Sequence, residues 1–331
     1  MEWRRELAIP ANDGQENGCI TFCLLLPGLA VMYVDVRSRT IPDFHVLSPE
    51  VSGTAVRHGY QESEPVQRLL YINYAFDGRC ELHLTGGELT YLEGGELAMD
   101  TGQASHANSN FYYPRASYRG TEIFVCPDQL KENVRITGSE IRPSDALYEM
   151  TEKSPFPLFA RADGRVTEEM GLLRDDIVHG VDRGLLILDV LRAMHCMNLM
   201  NYSDHLQRQF YSAAQVQIAK QAVQLISENL GRRYSAAELA DRFHISETSL
   251  KNYFRGVYGC GYKEYQNQLR MEKAASMLGK TRDKVADIAA AVGFANQSRF
   301  ARAFGEYYGM SPLEYRRTTA VQNSTDQVRQ V

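Results

Sequence analysis

The chain has 331 residues, 44% of them hydrophobic and 23% charged, which is the composition of a folded chain long enough for two domains and excludes a largely disordered one. Its net charge of −5 is unevenly spread: residues 213–318 carry 16 Lys and Arg against 10 Asp and Glu, whereas residues 1–212 carry 19 against 30. A basic excess confined to one segment points to a nucleic-acid surface there.

The opening MEWRRELAIPAND lacks the apolar core of a secretory signal, so a cytoplasmic protein is expected. The longest apolar run, ITFCLLLPGLAVMYVDV at residues 20–36, is too short to span a membrane and is broken by Pro27 and Gly28; it predicts two strands joined at a turn. The alternating stretches RLLYINYAF, RCELHLT, ELTYLEGGELAMD and RGTEIFV follow, separated by DGR, TGGE, EGGE and RASYRG turns. Short strands recurring at this interval predict an antiparallel barrel or sandwich over residues 1–135. Its tyrosines are candidates for lining a small-molecule pocket, with Tyr74, Tyr91 and Tyr113 named as effector-binding positions, although strands favour tyrosine and core filling is the better account of any single one.

His45, His58, His83 and His106 stand singly, without the His-x-His spacing of a metal centre, and His83 reads as a packing residue. No GxSxG, P-loop or paired Cys and His motif occurs, so no catalytic residue, metal or cofactor is assigned. The six scattered cysteines contain no CxxC and suit a reducing compartment.

Downstream the periodicity turns helical. Residues 166–202, within a helical segment of residues 136–212, carry two helices, and the second, apolar over most of its circumference, must be buried in a core or against a partner subunit. From Gln215 to Arg317 helix is predicted throughout, and residues 319–331 are expected to be disordered.

Within that block YSAAELADRFHISETSLKNYFRGVYGCG (residues 234–261) repeats as KVADIAAAVGFANQSRFARAFGEYYGMS (residues 284–311), with Leu239 answering Ile288, Phe254 answering Phe304 and Gly259 answering Gly309. Each copy reads as a short helix, a tight turn and a second helix. Ser235 with Glu238 predicts a capping box, Ser246 and Asn296 predict caps, and Gly293 sits where the turn wants φ > 0. In each second helix aromatic residues form one stripe, with Phe300, Phe304 and Tyr307 grouped in the second copy.

The opposite faces carry Thr248, Lys251, Asn252 and Arg255 in one copy and Gln297, Ser298, Arg299 and Arg302 in the other. Such side chains match the donors and acceptors of base edges in the major groove, and Ala301 and Gly305 are small enough for close approach. Residues 262–278 between the copies contain no Gly or Pro and form a rod able to hold two reading helices about one DNA turn, 34 Å, apart.

The segment IAAAVGFANQSRFARAFGEYYGMSPLEYRR resembles the signature of AraC/XylS-type transcription regulators, and Arg270, Ala274 and Leu278 fall where that family places them. The chain departs from the pattern at Gly305, where the family usually has Lys or Arg. By this resemblance the fold class is α+β: an N-terminal cupin-like antiparallel β-barrel, a helical dimerisation segment, and a C-terminal all-α tandem helix-turn-helix domain at residues 213–318. The resemblance implies a non-enzymatic regulator whose partners are double-stranded promoter or operator DNA, a second copy of the chain, a small-molecule effector and RNA polymerase, with no membrane. The rival reading is a ligand-binding or enzymatic barrel whose helical half binds a protein.

Overall fold

Pro27 and Gly28 turn the long apolar run back on itself, as expected. Gly28 has φ +81°, and a Cβ there would sit 2.6 Å from the Gln129 side chain. The turn joins strand β2 (Glu16–Leu26) to β3 (Leu29–Val36) in a computed structural model that describes residues 3–10, 16–41, 68–101, 112–133, 143–154, 156–202 and 208–319. His45, His58, His106 and all but the first residue of the expected disordered tail lie outside the described residues.

The remaining strands are β1 (Arg4–Pro10), β4 (Leu70–His83), β5 (Glu88–Glu93), β6 (Glu96–Asp100), β7 (Tyr118–Val125), β8 (Leu158–Arg161) and β9 (Tyr211–Ser212). All pairings are antiparallel, in the order β1-β2-β3-β7-β4-β5-β9, with β6 bridging β4 and β8. Two expectations need correction. DGR is not a turn: Asp77 and Gly78 lie inside β4, where the register slips between Ala75 and Asp77. Gly78 takes φ +82°, and a Cβ would meet Ser117 O at 2.2 Å, so the sequence "DG" marks a bulge rather than a reversal. The expected closed barrel is, among the described residues, an open sheet. With 14 residues β4 is long enough to pair its first half with β6 and its second half with β5, so the sheet forks instead of closing.

The two faces of the sheet bury different partners. On one, Leu25, Val31, Ile72, Leu97 and Ile123 pack against helices α3 (Gly164–His179) and α4 (Arg183–Asn198). Val166, Met170, Leu173 and Ile177 recur at helical spacing on α3, and Leu186, Val190, Met194 and Met197 do so on α4; each is fully buried, a gain of about 1.5–3 kcal/mol per side chain. Asp163 and Asp182 cap these helices, and Gly180 in the left-handed conformation ends α3. Two shorter helices, α1 (Pro127–Asn133) and α2 (Pro143–Glu152), complete the layer. The segment expected to be helical over residues 136–212 therefore shares its core with the sheet and also supplies β8 and β9. The opposite face, through Ile20, Phe22, Met32, Val34 and Cys80, carries no helix among the described residues.

The chain divides into two compact units, Met1–Ala213 and Ala214–Val331. The second contains α5 (Ala213–Glu228, whose first residue closes the other unit), α6 (Ala236–Arg242), α7 (Glu247–Tyr258), α8 (Tyr262–Lys280), α9 (Val285–Ala291) and α10 (Gln297–Tyr308), followed by helical residues 312–319. No helix among the described residues is long and apolar enough to cross a membrane.

Between α3 and α4, Asp189 is buried beside Asp176. Burial, then the hydrogen bond with Asp176, raises its pKa to about 6, and Arg192, shared with Glu169, offsets only part of the shift. The folded state thus holds this proton more tightly than an unfolded chain with its value of 3.8, so the group costs stability increasingly from about pH 4 to pH 6, and fully above. Asp189→Asn, whose amide can donate to Asp176 at every pH, is expected to stabilise the protein at pH 8 by on the order of 1 kcal/mol after allowance for screening, and to have no effect near pH 4, in urea unfolding followed by circular dichroism.

Candidate nucleic-acid interface

The centre of the second unit is α8, a rod of 19 residues and about 28 Å. One helix-turn-helix docks on its beginning: Phe254 and Tyr258 of α7 pack with Tyr265 of α8, ring centroids 4.5–5.6 Å apart. The other docks further along, where Met271, Ala274, Ala275 and Leu278 meet Ile288 of α9 and Phe300 and Phe304 of α10. Fifty residues on, the aromatic trio recurs as Phe304, Tyr308 and Tyr315, with centroids 4.6–5.4 Å apart and similar tilts. Each trio ties a second helix to the helix that follows it.

Local chemistry sets the ends of these elements. Ser235 and Glu238 form the expected capping box, and Arg232 pairs with Glu238 at 2.8 Å. Hydrogen bonds from Ser235 backbone and from Arg232 hold the Glu238 carboxyl down to about 2. Ser246 caps α7 and Asn296 caps α10, as expected, while Gly259 and Gly309 end those helices with φ of 70° and 71°. A second capping box, Ser311 with Glu314, opens residues 312–319.

With the apolar stripes committed inward, Thr248, Lys251, Asn252 and Arg255 of α7 and Gln297, Ser298, Arg299 and Arg302 of α10 all stand exposed. Lys251 pairs with Glu247 and Arg302 with Glu306, both at 2.9 Å along their own helices. The Arg302 side chain is 83% exposed, so its pair is worth a fraction of a kcal/mol and yields readily to a stronger anion. Neither second helix has its polar face packed inside the protein.

The turns are positioned by a buried cation. Arg270 of α8 has no exposed surface; its Nε and Nη2 donate to the carbonyls of Leu230 and Arg232, each at 2.9 Å, in the turn after α5. Burial, then the charge of Arg233, lowers its pKa. The same turn backs Gly293: with φ +79°, a Cβ there would lie 2.8 Å from Gly231 O and 2.9 Å from Leu230 O.

Residues 239–318 match a family model described as a helix-turn-helix domain. The HTH-type transcriptional activator RhaR of Yersinia pestis is 30% identical over 117 residues, 34% of this chain and 40% of that one. The Melibiose operon regulatory protein of Escherichia coli K12 is 29% identical over 105 residues, 32% of this chain and 35% of that one. The C-terminal domain is of the AraC type. Among solved structures, the C-terminal domain of AraT, a response regulator from Geobacillus stearothermophilus, is 30% identical, covering 30% of this chain and 84% of that one with a TM-score of 0.30. The matched regions span less than half the length of these curated relatives.

Within this AraC-type domain three features escaped sequence reasoning. Tyr307 is 47% exposed, and Tyr308 takes the place expected for it, because the fourth residue after Phe304, not the third, points at Tyr315. The Phe-x3-Tyr-x6-Tyr spacing repeated at 254 and 304 was the signal available for it. Ser311 and Glu314 were legible as a capping box, whereas Arg270 carries no local signal for burial.

The proposed effector tyrosines are placed apart. Tyr74 lies in the core beneath the helices, edge-on to Phe76. Tyr91 donates to Glu81 Oε2 at 3.0 Å under the Arg79 guanidinium, on the same carboxylate that meets His83 Nε2 at 2.9 Å. Tyr113 stacks on Tyr118 on the other face. All three are 98–99% buried, and the described cavity is lined by other residues.

The repeat supplies an internal comparison. His244, the counterpart of Gly293, adopts φ 55° without glycine. Gly293→Ala is expected to destabilise the chain by more than about 1–2 kcal/mol, since both the conformation and the fixed backbone of the turn oppose a Cβ. His244→Gly, which relieves the strained conformation, is expected to change stability by less than about 1 kcal/mol in the same unfolding measurement.

Proposed function

We propose that this protein is a transcription regulator that reads double-stranded promoter or operator DNA with α7 and α10. The observation that carries the reading is the pairing of two exposed polar helix faces, each at the start of its helix, docked at separate stretches of one stiff rod. Thr248, Lys251 and Asn252, with Gln297, Ser298 and Arg302, are the base readers; Arg255 and Arg299 bind phosphates or flank the groove. The names of the relatives, a transcriptional activator and an operon regulatory protein, support extending this from the domain to the chain.

The N-terminal unit serves as the sensing and pairing half. Leu185 and Leu188 on one side of α4 and Leu199 at its C-cap are 39–62% exposed, an apolar edge suited to a second copy of the chain. A small-molecule effector bound by this unit changes which arrangement of the two copies is populated, and so which DNA sites they span together. RNA polymerase is the remaining partner of a regulator that activates.

Gel-shift titration against the gene's upstream DNA tests the reading, and absence of salt-sensitive binding overturns it. Arg302→Ala is expected to cost about 1–3 kcal/mol and to relax preference at one or two base pairs. Arg255→Ala is expected to weaken binding equally on all sequences, with a salt slope reduced by about one.

A further inference from the structure

The sheet face that carries no helix among the described residues holds an acid, Glu122, with no described partner. The strand register lays the face out in rows. Phe22, Met32, Glu122, Asn73 and Ala98 follow one another across β2, β3, β7, β4 and β6. The neighbouring row is Leu24, Ala30, Phe124, Tyr71 and Asp100. Glu122, Asn73, Tyr71 and Phe124 are only half-buried although they sit in the middle strands. A cavity of about 50 Å³ opens beside them, lined among others by Phe22, Leu24, Ala30, Tyr71 and Phe124. Glu122 stands one pleat further along β7, about 7 Å from Phe124.

No described side chain hydrogen-bonds or ion-pairs with Glu122. The groups within electrostatic reach are Tyr71 and Cys80 of β4, Tyr118 of β7, and Tyr113, none of them cationic. Asp100 and Glu122 both act on Tyr71, raising its pKa after burial. Burial alone pushes the Glu122 carboxyl up to about 7. A half-buried carboxylate without a described partner is costly and is kept where something else supplies the charge.

We propose that this face binds a small organic cation, a protonated amine on a compact apolar or aromatic body, with Glu122 as counter-ion and Tyr71 and Phe124 packed against the body. The inference rests on the effector reading and gives that effector a chemical class. Size and charge select together. The cavity takes only a small group, the rings favour a cation over their faces, and an anion meets Glu122, which has no ion-pair partner among the described residues. Because the amine stays protonated while Glu122 ionises, binding expels a proton from Glu122 and tightens as pH rises through about 7.

The test uses the full chain in thermal-shift assays with 2-phenylethylamine, neutral 2-phenylethanol and anionic 3-phenylpropanoate, alongside gel shifts on the same samples. The amine is expected to raise Tm by several degrees at millimolar concentration, with the alcohol and the acid inactive, and its affinity to rise about tenfold between pH 6 and pH 8. Glu122→Gln is expected to keep or raise the ligand-free Tm and to lose both the amine response and its pH dependence. An equal response to the alcohol or the acid, no response to any probe, or a full amine response in Glu122→Gln overturns the proposal. DNA binding that persists in any of those cases leaves the regulator reading standing, whereas its absence in every sample overturns that reading instead.

Discussion

A guanidinium with no exposed surface holds the C-terminal unit in register. Arg270 reaches from the middle of α8 to two carbonyls in the turn after α5, and among the described residues no carboxylate shares the task. A buried cation bonded only to neutral acceptors is expensive, and it is tolerated where the acceptors are fixed and point at it, as carbonyls near a helix C-terminus do. The turn it gathers then becomes the floor for Gly293, so one interaction sets α5, α8 and the second helix-turn-helix against one another. Lysine could not serve as well, because the bonds leave from two different nitrogens of a planar fork.

Around that centre the same problem is solved twice with different residues. Both turns need a left-handed residue: the second copy, backed by the chain, admits only glycine, while the first accepts histidine at the cost of strain. Both second helices end in a left-handed glycine and are tied by an aromatic trio to the next helix. The first short helix has a reciprocal capping box, whereas its counterpart α9 begins at Lys284 with no side-chain cap. Folding energy therefore comes from the inward stripes and the caps. The outward residues contribute little to it, which leaves them free to vary with the surface they meet.

That separation explains what was legible in the sequence. The two helix-turn-helix units, their caps and their exposed faces follow from spacing within a dozen residues, and a second copy doubles each signal. The hairpin at Pro27 and Gly28 was legible for the same reason. The open sheet was not. Whether β4 closes a barrel or forks depends on which strands meet its two halves, and β5, β6 and β7 are all alternating segments without a mark of their partner. Tyr74, Tyr91 and Tyr113 share a residue type but not a face, and only the register, with its slip after Ala75, shows which side each one takes.

The same register decides where chemistry is possible in the N-terminal unit. A slip of one residue in β4 puts Arg79, Glu81 and His83 on one side and Cys80 on the other, so those three charged groups lie on the side away from Glu122, whereas Glu96, two residues from Ala98, is on the same side. Arg79 faces Tyr91 and pairs with Glu93; Arg208 and Arg161 share Glu96; Arg119 pairs with Asp77. None of these cations pairs with Glu122, and Asp189 between α3 and α4 is only partly offset. Both lower the stability of the unliganded, unprotonated state. An acid retained against that cost in a sheet otherwise rich in balanced pairs is better explained by what enters the site than by what holds the fold together.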